Sequence, residues 1–204
     1  VTALLDEYAA ADVRNILALA GDPPADGSDP GGEFTYALEL VELVRAHPGA
    51  FCVGVAAHPE LHPRSTDRAG DRRNLAAKLA AADFGITQFF FEADDYLRMV
   101  DELDALGCTT PVLPGIMPPL NVAGLRRMAA MNGSAIPAAL SDRLDAVDGD
   151  PDAVREVGVE VATALCRQLL DAGVPGLHLY ALNRSASVRR IVTALGLRPE
   201  PDHP

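Results

Sequence analysis

The chain has 204 residues, of which 49% are hydrophobic, so it can bury one substantial core. Its net charge of −12 argues against a surface that binds nucleic acid or an anionic membrane. The three cysteines are widely spaced and fit neither a disulfide framework nor a zinc site. No apolar run approaches the roughly 20 residues of a membrane span, and no signal peptide is visible. We therefore expect a cytoplasmic protein with reduced cysteines.

Strand and helix patterns alternate in the first half of the chain. A helix is predicted over 2–11, and a short buried strand over 15–20 precedes a loop rich in glycine and proline. Further elements are a helix from about Phe34, a strand over 51–57 and a helix over 71–82. The run over 86–92 is almost continuously apolar, which predicts a third strand covered on both faces.

The alternation continues in the second half, with helices over 96–106 and 121–131 around a fourth strand over 111–117. A short helix follows Pro137, a long helix runs from Asp150-Pro151 to 172, and a fifth strand over 177–182 precedes the last helix over 185–195. No linker interrupts the pattern, so a single α/β domain over 1–204 is predicted.

Strand ends favour a barrel over an open doubly wound sheet. No strand is followed by a Gly-x-Gly-x-x-Gly turn, whereas polar residues recur after successive strands, as at the catalytic face of a barrel. Five strands cannot close an eight-stranded barrel. We therefore expect an incomplete (β/α)8 barrel (the TIM-barrel fold) in which three strands are absent.

Two residues near strand ends are candidates for catalysis or binding. Asp22 follows the first strand after Gly21, where it is either a turn aspartate or a ligand contact. Gln88 places a polar amide side chain in the predicted third strand, 86–92, which is otherwise almost continuously apolar. It is either a hydrogen-bonded core glutamine or a residue that faces a ligand.

Two further candidate sites, one helix face and one arginine, contain charged residues. Asp71, Asn74 and Lys78 have offsets of three and seven, which place them on one helix face. They could bind a polyol and its phosphates, or they could form an ordinary solvated face. Arg184 stands where the last strand meets the last helix, either to bind an anionic or heteroaromatic ligand or as a surface arginine.

His58 and His62 have the i, i+4 spacing of a metal-binding pair on a helix. Each is followed by proline, which disfavours the helical conformation of the residue before it. We therefore predict a loop here, and no metal.

Six segments carry a further signal in their order and spacing: Leu19-Ala20-Gly21-Asp22, Ala56 to Pro63, Asp71-x-x-Asn74-Leu75-x-x-Lys78, Ile86 to Phe91, Pro114 to Pro118, and Tyr180 to Arg184. Together they resemble the methylenetetrahydrofolate reductase family over about 1–196.

The resemblance implies an enzyme that reduces 5,10-methylenetetrahydrofolate to 5-methyltetrahydrofolate with NADH or NADPH through bound FAD, in one-carbon metabolism and methionine biosynthesis. It implies contacts of Asp22 with the flavin and folate, and of Gln88 with the folate pterin or nicotinamide. Met128 and Arg184 would bind the nicotinamide or folate. The implied flavin contacts are Gly21, Asp22, Ala37, His58, His62, Asp71, Asn74 and Lys78. A homo-oligomer is compatible with the family.

The chain also departs from the family pattern. Members usually have arginine at Ala20 and tyrosine at His58, so flavin binding is expected to be weaker. The resemblance places Val1 after the third barrel strand, and it assigns the general-acid glutamate to a part that this chain lacks. The chain alone is therefore expected to be inactive. The alternatives are a flavin-independent reductase of the family, a non-catalytic folate- or flavin-binding remnant, and an unrelated barrel enzyme.

Overall fold

The computed structural model describes residues 1–19, 21 and 32–197. The chain divides into two compact units. The first contains residues up to Ala57 together with Ser65–Ile86 and Val100–Val112, and the second contains His58–Arg64, Thr87–Met99 and the residues from Leu113 onward.

Helices and strands alternate along most of the described chain. The first part contains α1 (Thr2–Ala10), β1 (Asn15–Ala18), α2 (Ala37–Ala46), β2 (Cys52–Ala57), α3 (Arg68–Ala80), β3 (Phe84–Thr87) and α4 (Ala93–Ala105). The second part contains β4 (Val112–Leu113), β5 (Gly115–Ile116), α5 (Val122–Asn132), α6 (Ala138–Asp145), α7 (Pro151–Asp171), β6 (His178–Leu179) and α8 (Ser185–Ala194). Within the described residues, no helix is both long enough and apolar enough to span a membrane.

The first unit is built on a sheet with strand order β1-β2-β3-β4. β1 and β2 are parallel, with Asn15 opposite Cys52 and Ala18 opposite Val55. The core beside this sheet consists of fully buried aliphatic side chains from α2, β2 and α3, namely Val41, Val44, Val53, Val55 and Leu79. Parallel strands that alternate with helices confirm the predicted α/β class, whereas a (β/α)8 barrel stays a prediction.

The first strand differs from its predicted burial. Leu17 of β1 is 46% exposed and Leu19, just beyond it, is 50% exposed. β1 is the terminal strand in the order of its sheet, so it has a strand neighbour on one side within the described residues. The prediction of a buried first strand was therefore wrong.

The second unit contains a two-stranded sheet and a helical core. β5 and β6 are parallel, with Gly115 opposite His178. Side chains from α5, α6 and α7 form one hydrophobic cluster with two residues that follow strands: Phe89, Met117, Val122, Leu125, Ala129, Leu140, Leu144 and Val154.

The aromatic run forms less strand than predicted. β3 ends at Thr87, so the three phenylalanines lie beyond the strand. Phe89 and Phe91 pack into the cluster of α5–α7, and Phe90 stacks on Tyr96 with 6.0 Å between ring centroids. The run is apolar because these side chains are buried by helices, which does not require a strand.

The predicted fourth and fifth strands also differ. The segment 111–117 forms two short strands, β4 and β5, which belong to different sheets. Pro114 lies between them, and proline has no N–H with which to continue a ladder. The fifth predicted strand is reduced to β6, His178–Leu179.

The helices lie close to their predicted positions because local signals specify their ends. The Asn121 side chain accepts a hydrogen bond from the Gly124 N–H at the start of α5. Asp150 caps α7 in the same way, with Pro151 in the first turn. α3 begins at Arg68, three residues before the predicted start, because Asp67 caps it.

Candidate functional site

The candidates around the first strand are described in part. Asp22 and Ala20 lie outside the described residues. Gly21 has φ +72°, a backbone conformation that glycine adopts at little cost. Ala37 is the first residue of α2 and is half-buried.

Three polar candidates lie on α3 in the first unit. Asp71 is buried, Asn74 is exposed and Lys78 is half-buried. Burial lowers the pKa of the Lys78 ammonium, while the Asp71 carboxylate acts in the opposite direction. The structure therefore brings a buried carboxylate and a half-buried cation together on this helix, which is more than an ordinary solvated face.

Ser65 and Arg72 both donate hydrogen bonds to the Asp71 carboxylate. The Ser65 hydroxyl donates to Oδ1 across 2.6 Å, and Nη1 of Arg72 donates to Oδ2 across 2.7 Å. Arg72 is 2% exposed, and its Nε donates to Glu102 on α4 across 2.7 Å. Nε of Arg68 donates to the other oxygen of the same carboxylate, Oε1, across 2.6 Å. These hydrogen bonds hold the pKa of Glu102 below its usual value.

Sequence reasoning missed this network, although one local signal was present. Arg72 precedes Leu75 by three residues and Leu79 by seven, so a charged residue occupies the apolar stripe of α3. A buried arginine at such a position requires an anionic partner. Its partner Glu102 lies thirty residues away in the chain.

The segment after β2 contains the two candidate histidines. The segment is non-helical, which agrees with the prediction made from its prolines. The His58 and His62 rings meet edge to face with centroids 4.5 Å apart. Nδ1 of His62 accepts from the Arg64 N–H across 3.1 Å. In the part of the chain that the structure describes, no group of three or more potential metal ligands is present.

Glu60 in the same segment is a further residue that the sequence did not indicate. Its two carboxylate oxygens lie 3.1 and 2.9 Å from the Ala135 N–H, which donates to them. Burial raises the pKa of Glu60, while the hydrogen bond from Ala135 acts in the opposite direction. This contact connects the histidine segment to the segment that follows α5.

Gln88 is the first residue after β3 and is half-buried. Within the described residues its side-chain amide has no hydrogen-bond partner. An amide at the end of a strand, with its donors and acceptor available, suits a ligand edge.

The remaining two candidates lie at separate places in the second unit. Met128 on α5 is half-buried against the cluster that contains Phe89. Arg184 is exposed and precedes the first residue of α8. Its N–H donates to the Ala181 carbonyl across 2.7 Å, and this turn contains Leu182 and Asn183, both with positive φ.

These features define a class of protein. Parallel strands alternate with helices, and the polar candidates His58, Gln88 and Arg184 each follow a strand within a few residues. In parallel α/β proteins, ligands bind beyond the carboxyl ends of the strands. The chain is an α/β protein, and these candidates follow its strands at the ends where that class of protein binds ligands.

Comparisons with known proteins identify the family. The sequence model of the family described as methylenetetrahydrofolate reductase matches residues 1–196. The chain belongs to the methylenetetrahydrofolate reductase family. This confirms the resemblance carried by the six segments.

The matching proteins include longer enzymes. The chain is 38% identical to the probable methylenetetrahydrofolate reductase (NADPH) of Caenorhabditis elegans, over 95% of the chain and 30% of that protein. It is 36% identical to the 5,10-methylenetetrahydrofolate reductase of Pectobacterium carotovorum subsp. carotovorum, over 97% of the chain and 65% of that protein. The chain thus spans about one third to two thirds of the length of these relatives.

A solved structure has a similar fold. It is an uncharacterized protein from Clostridium thermocellum that binds two copies of 5-methyl-5,6,7,8-tetrahydrofolic acid. The TM-score is 0.52 at 13% sequence identity, and the match covers 78% of this chain and 57% of that one. At this identity the likeness concerns the fold.

Proposed function

We propose that this chain belongs to an enzyme that reduces 5,10-methylenetetrahydrofolate to 5-methyltetrahydrofolate with NADH or NADPH. Membership of the family over residues 1–196 supports the reaction. The observation that carries a ligand-binding role for this chain is the position of Gln88: this half-buried residue directly follows β3, and its side-chain amide has no hydrogen-bond partner within the described residues.

The role of Gln88 is to orient the ligand that exchanges hydride. A primary amide offers two donors and one acceptor, and the edges of a pterin and of a nicotinamide carboxamide both present complementary groups. The same side chain can therefore serve either ligand. Arg184, exposed at the start of α8, supplies a cation for the shared nicotinamide or folate position. Met128 would present an apolar side chain to the same ligands.

The residues of α3 fit a flavin nucleotide. Lys78 offers an ammonium to a phosphate, and Asn74 offers an exposed amide to hydroxyl groups. Asp71 is a buried carboxylate kept in place by Ser65 and Arg72, so it is suited to accept from ribityl or ribose hydroxyls. Gly21, Asp22, Ala37, His58 and His62 complete the proposed set. These residues would hold FAD, which would supply the chemistry of hydride transfer between the nicotinamide and the folate.

The proposal is tested with the protein expressed from its complete gene. The visible spectrum of the purified protein reports bound flavin, and oxidation of NADH or NADPH is followed with and without methylenetetrahydrofolate. Mass spectrometry then identifies 5-methyltetrahydrofolate. We expect product formation that depends on both substrates. A folded protein that binds folate or flavin without forming product would instead support a non-catalytic role.

A further inference from the structure

The peptide bond that leads into Gln88 is held by a residue from a distant part of the sequence. The Tyr180 hydroxyl donates to the Thr87 carbonyl oxygen across 2.8 Å. That carbonyl belongs to the peptide group between Thr87 and Gln88. A hydrogen bond to it fixes the plane of the peptide group, and so the direction in which Gln88 leaves the strand.

A second hydrogen bond, to the side chain of Thr87, holds this residue in place. The Gly115 N–H donates to Oγ1 of Thr87 across 2.7 Å, and Thr87 is completely buried. A Cβ on Gly115 would lie 2.2 Å from the Thr87 carbonyl oxygen and 2.7 Å from Cε2 of Tyr180. Glycine is therefore required for Gly115, Thr87 and Tyr180 to approach each other this closely.

Tyr180 is itself firmly placed. Its N–H donates to the Ile116 carbonyl across 2.9 Å, and its ring meets the His178 ring edge to face with centroids 4.6 Å apart. The ring also packs against the hydrophobic cluster that contains Phe89 and Met117. A tyrosine hydroxyl carries its proton at neutral pH, and burial raises the pKa of Tyr180 further, so the donor is present.

We propose that Tyr180 is a positioning residue that holds the Gln88 amide in the orientation required by its ligand, through the peptide group of Thr87. This inference rests on the proposed function, because it assumes that Gln88 binds folate or nicotinamide. Tyr180 acts on the backbone of Thr87 and needs no contact with the ligand. Removal of its hydroxyl should leave the Gln88 side chain present but less well oriented, which weakens the ligand contacts.

A double-mutant cycle on the complete enzyme tests this coupling. We expect Q88A to lower kcat/KM for the folate substrate, and Y180F to lower it roughly two- to tenfold, the range of one ordinary hydrogen bond. The Q88A/Y180F double variant should be no worse than Q88A, because the hydroxyl acts through Gln88. Replacement of Tyr180 by p-aminophenylalanine retains a hydrogen-bond donor on the ring. This variant should therefore have a higher kcat/KM than Y180F.

Controls separate this inference from the proposed function. Y8F removes a hydroxyl from α1 and should leave kcat/KM unchanged. Losses that multiply in the double variant would overturn the positioning role while the reductase function stands. If Q88A leaves folate reduction unchanged, the ligand role of Gln88 and this inference are both wrong.

A second pair of variants covers the case in which Y180F does not fold. T87S retains the acceptor for Gly115, and T87V removes it. We expect T87V, but not T87S, to reduce kcat/KM, and expect T87V to show no added effect in the Q88A background. Equal activities of T87S and T87V would contradict the proposal.

Discussion

Nη1 of Arg72 donates to Oδ2 of Asp71 across 2.7 Å, and both side chains are buried although the two residues are consecutive. Adjacent residues on a helix point about 100° apart, so such a pair forms only where both side chains turn toward one another. Arg72 also binds Glu102, and its charge therefore serves two carboxylates. The orientation of Asp71 depends on this arrangement.

Loss of Arg72 should destabilise the protein strongly. R72M removes the guanidinium that binds both the buried Asp71 carboxylate and Glu102, and removal of one partner from a buried pair costs about 3–5 kcal/mol. Chemical denaturation measures the change in the free energy of unfolding. R73M provides the matched control, because Arg73 is the exposed neighbour on α3 and its replacement should stay within about 0.5 kcal/mol. Equal effects of the two variants would contradict the inferred importance of the buried pair.

G115A should be destabilising because of the close approach at this position. The new Cβ would lie 2.2 Å from the Thr87 carbonyl oxygen, and the backbone must move to accept it. Overpacking of this kind costs about 1–3 kcal/mol. Thermal and chemical denaturation would show the loss. At Gly32 the nearest atom to such a Cβ, among the described residues, is 3.6 Å away, so G32A should be nearly neutral. A fully stable G115A would mean that this contact is not formed.

K78M should weaken binding of FAD. Loss of one charge-assisted hydrogen bond costs about 1.5–3 kcal/mol, which is roughly one to two decades in Kd. Equilibrium titration with FAD, followed by fluorescence, measures the change, and R73M is again the control on the same helix. Tight binding by K78M would exclude Lys78 as a phosphate contact.

FAD affinity should also depend on pH through Lys78. Because burial lowers the pKa of its ammonium, the cation is lost at a pH below its usual 10.5. Affinity should therefore decline as the pH rises into that range, and K78M should remove this decline. An unchanged pH profile in K78M would assign the dependence to another group.

His178 should make stability depend on pH. Burial lowers the pKa of its imidazole from 6.5, so the unfolded chain binds a proton more readily than the folded protein. This contribution is fully present above 6.5 and declines as the pH falls from there toward the folded-state pKa. Denaturation at a series of pH values should show a smaller decline for H178F, which keeps a ring against Tyr180. Identical profiles for the two proteins would refute this assignment.

Local sequence signals determined the class of fold and most of its helices. The Asn121 cap and the Asp150-Pro151 start predicted α5 and α7, because capping depends on residues within one helical turn. The spacing of Asp71, Asn74 and Lys78 placed them on one helix for the same reason. The six family segments, read from the sequence alone, indicated the family that the comparisons confirmed.

Only the tertiary structure decided which of these residues have protein partners. The sequence predicted that Phe89 and Phe91 belong to a strand. In the structure they lie beyond β3 and pack into the cluster of α5–α7. The partner of Arg72 is thirty residues away, and the partner of the Thr87 carbonyl is ninety-three residues away. Local periodicity cannot identify partners that are so far apart in the chain, since such contacts form only when the chain packs. For the same reason, the sequence identified Gln88 as a polar residue but could not show whether its amide has a protein partner. The structure shows none within the described residues.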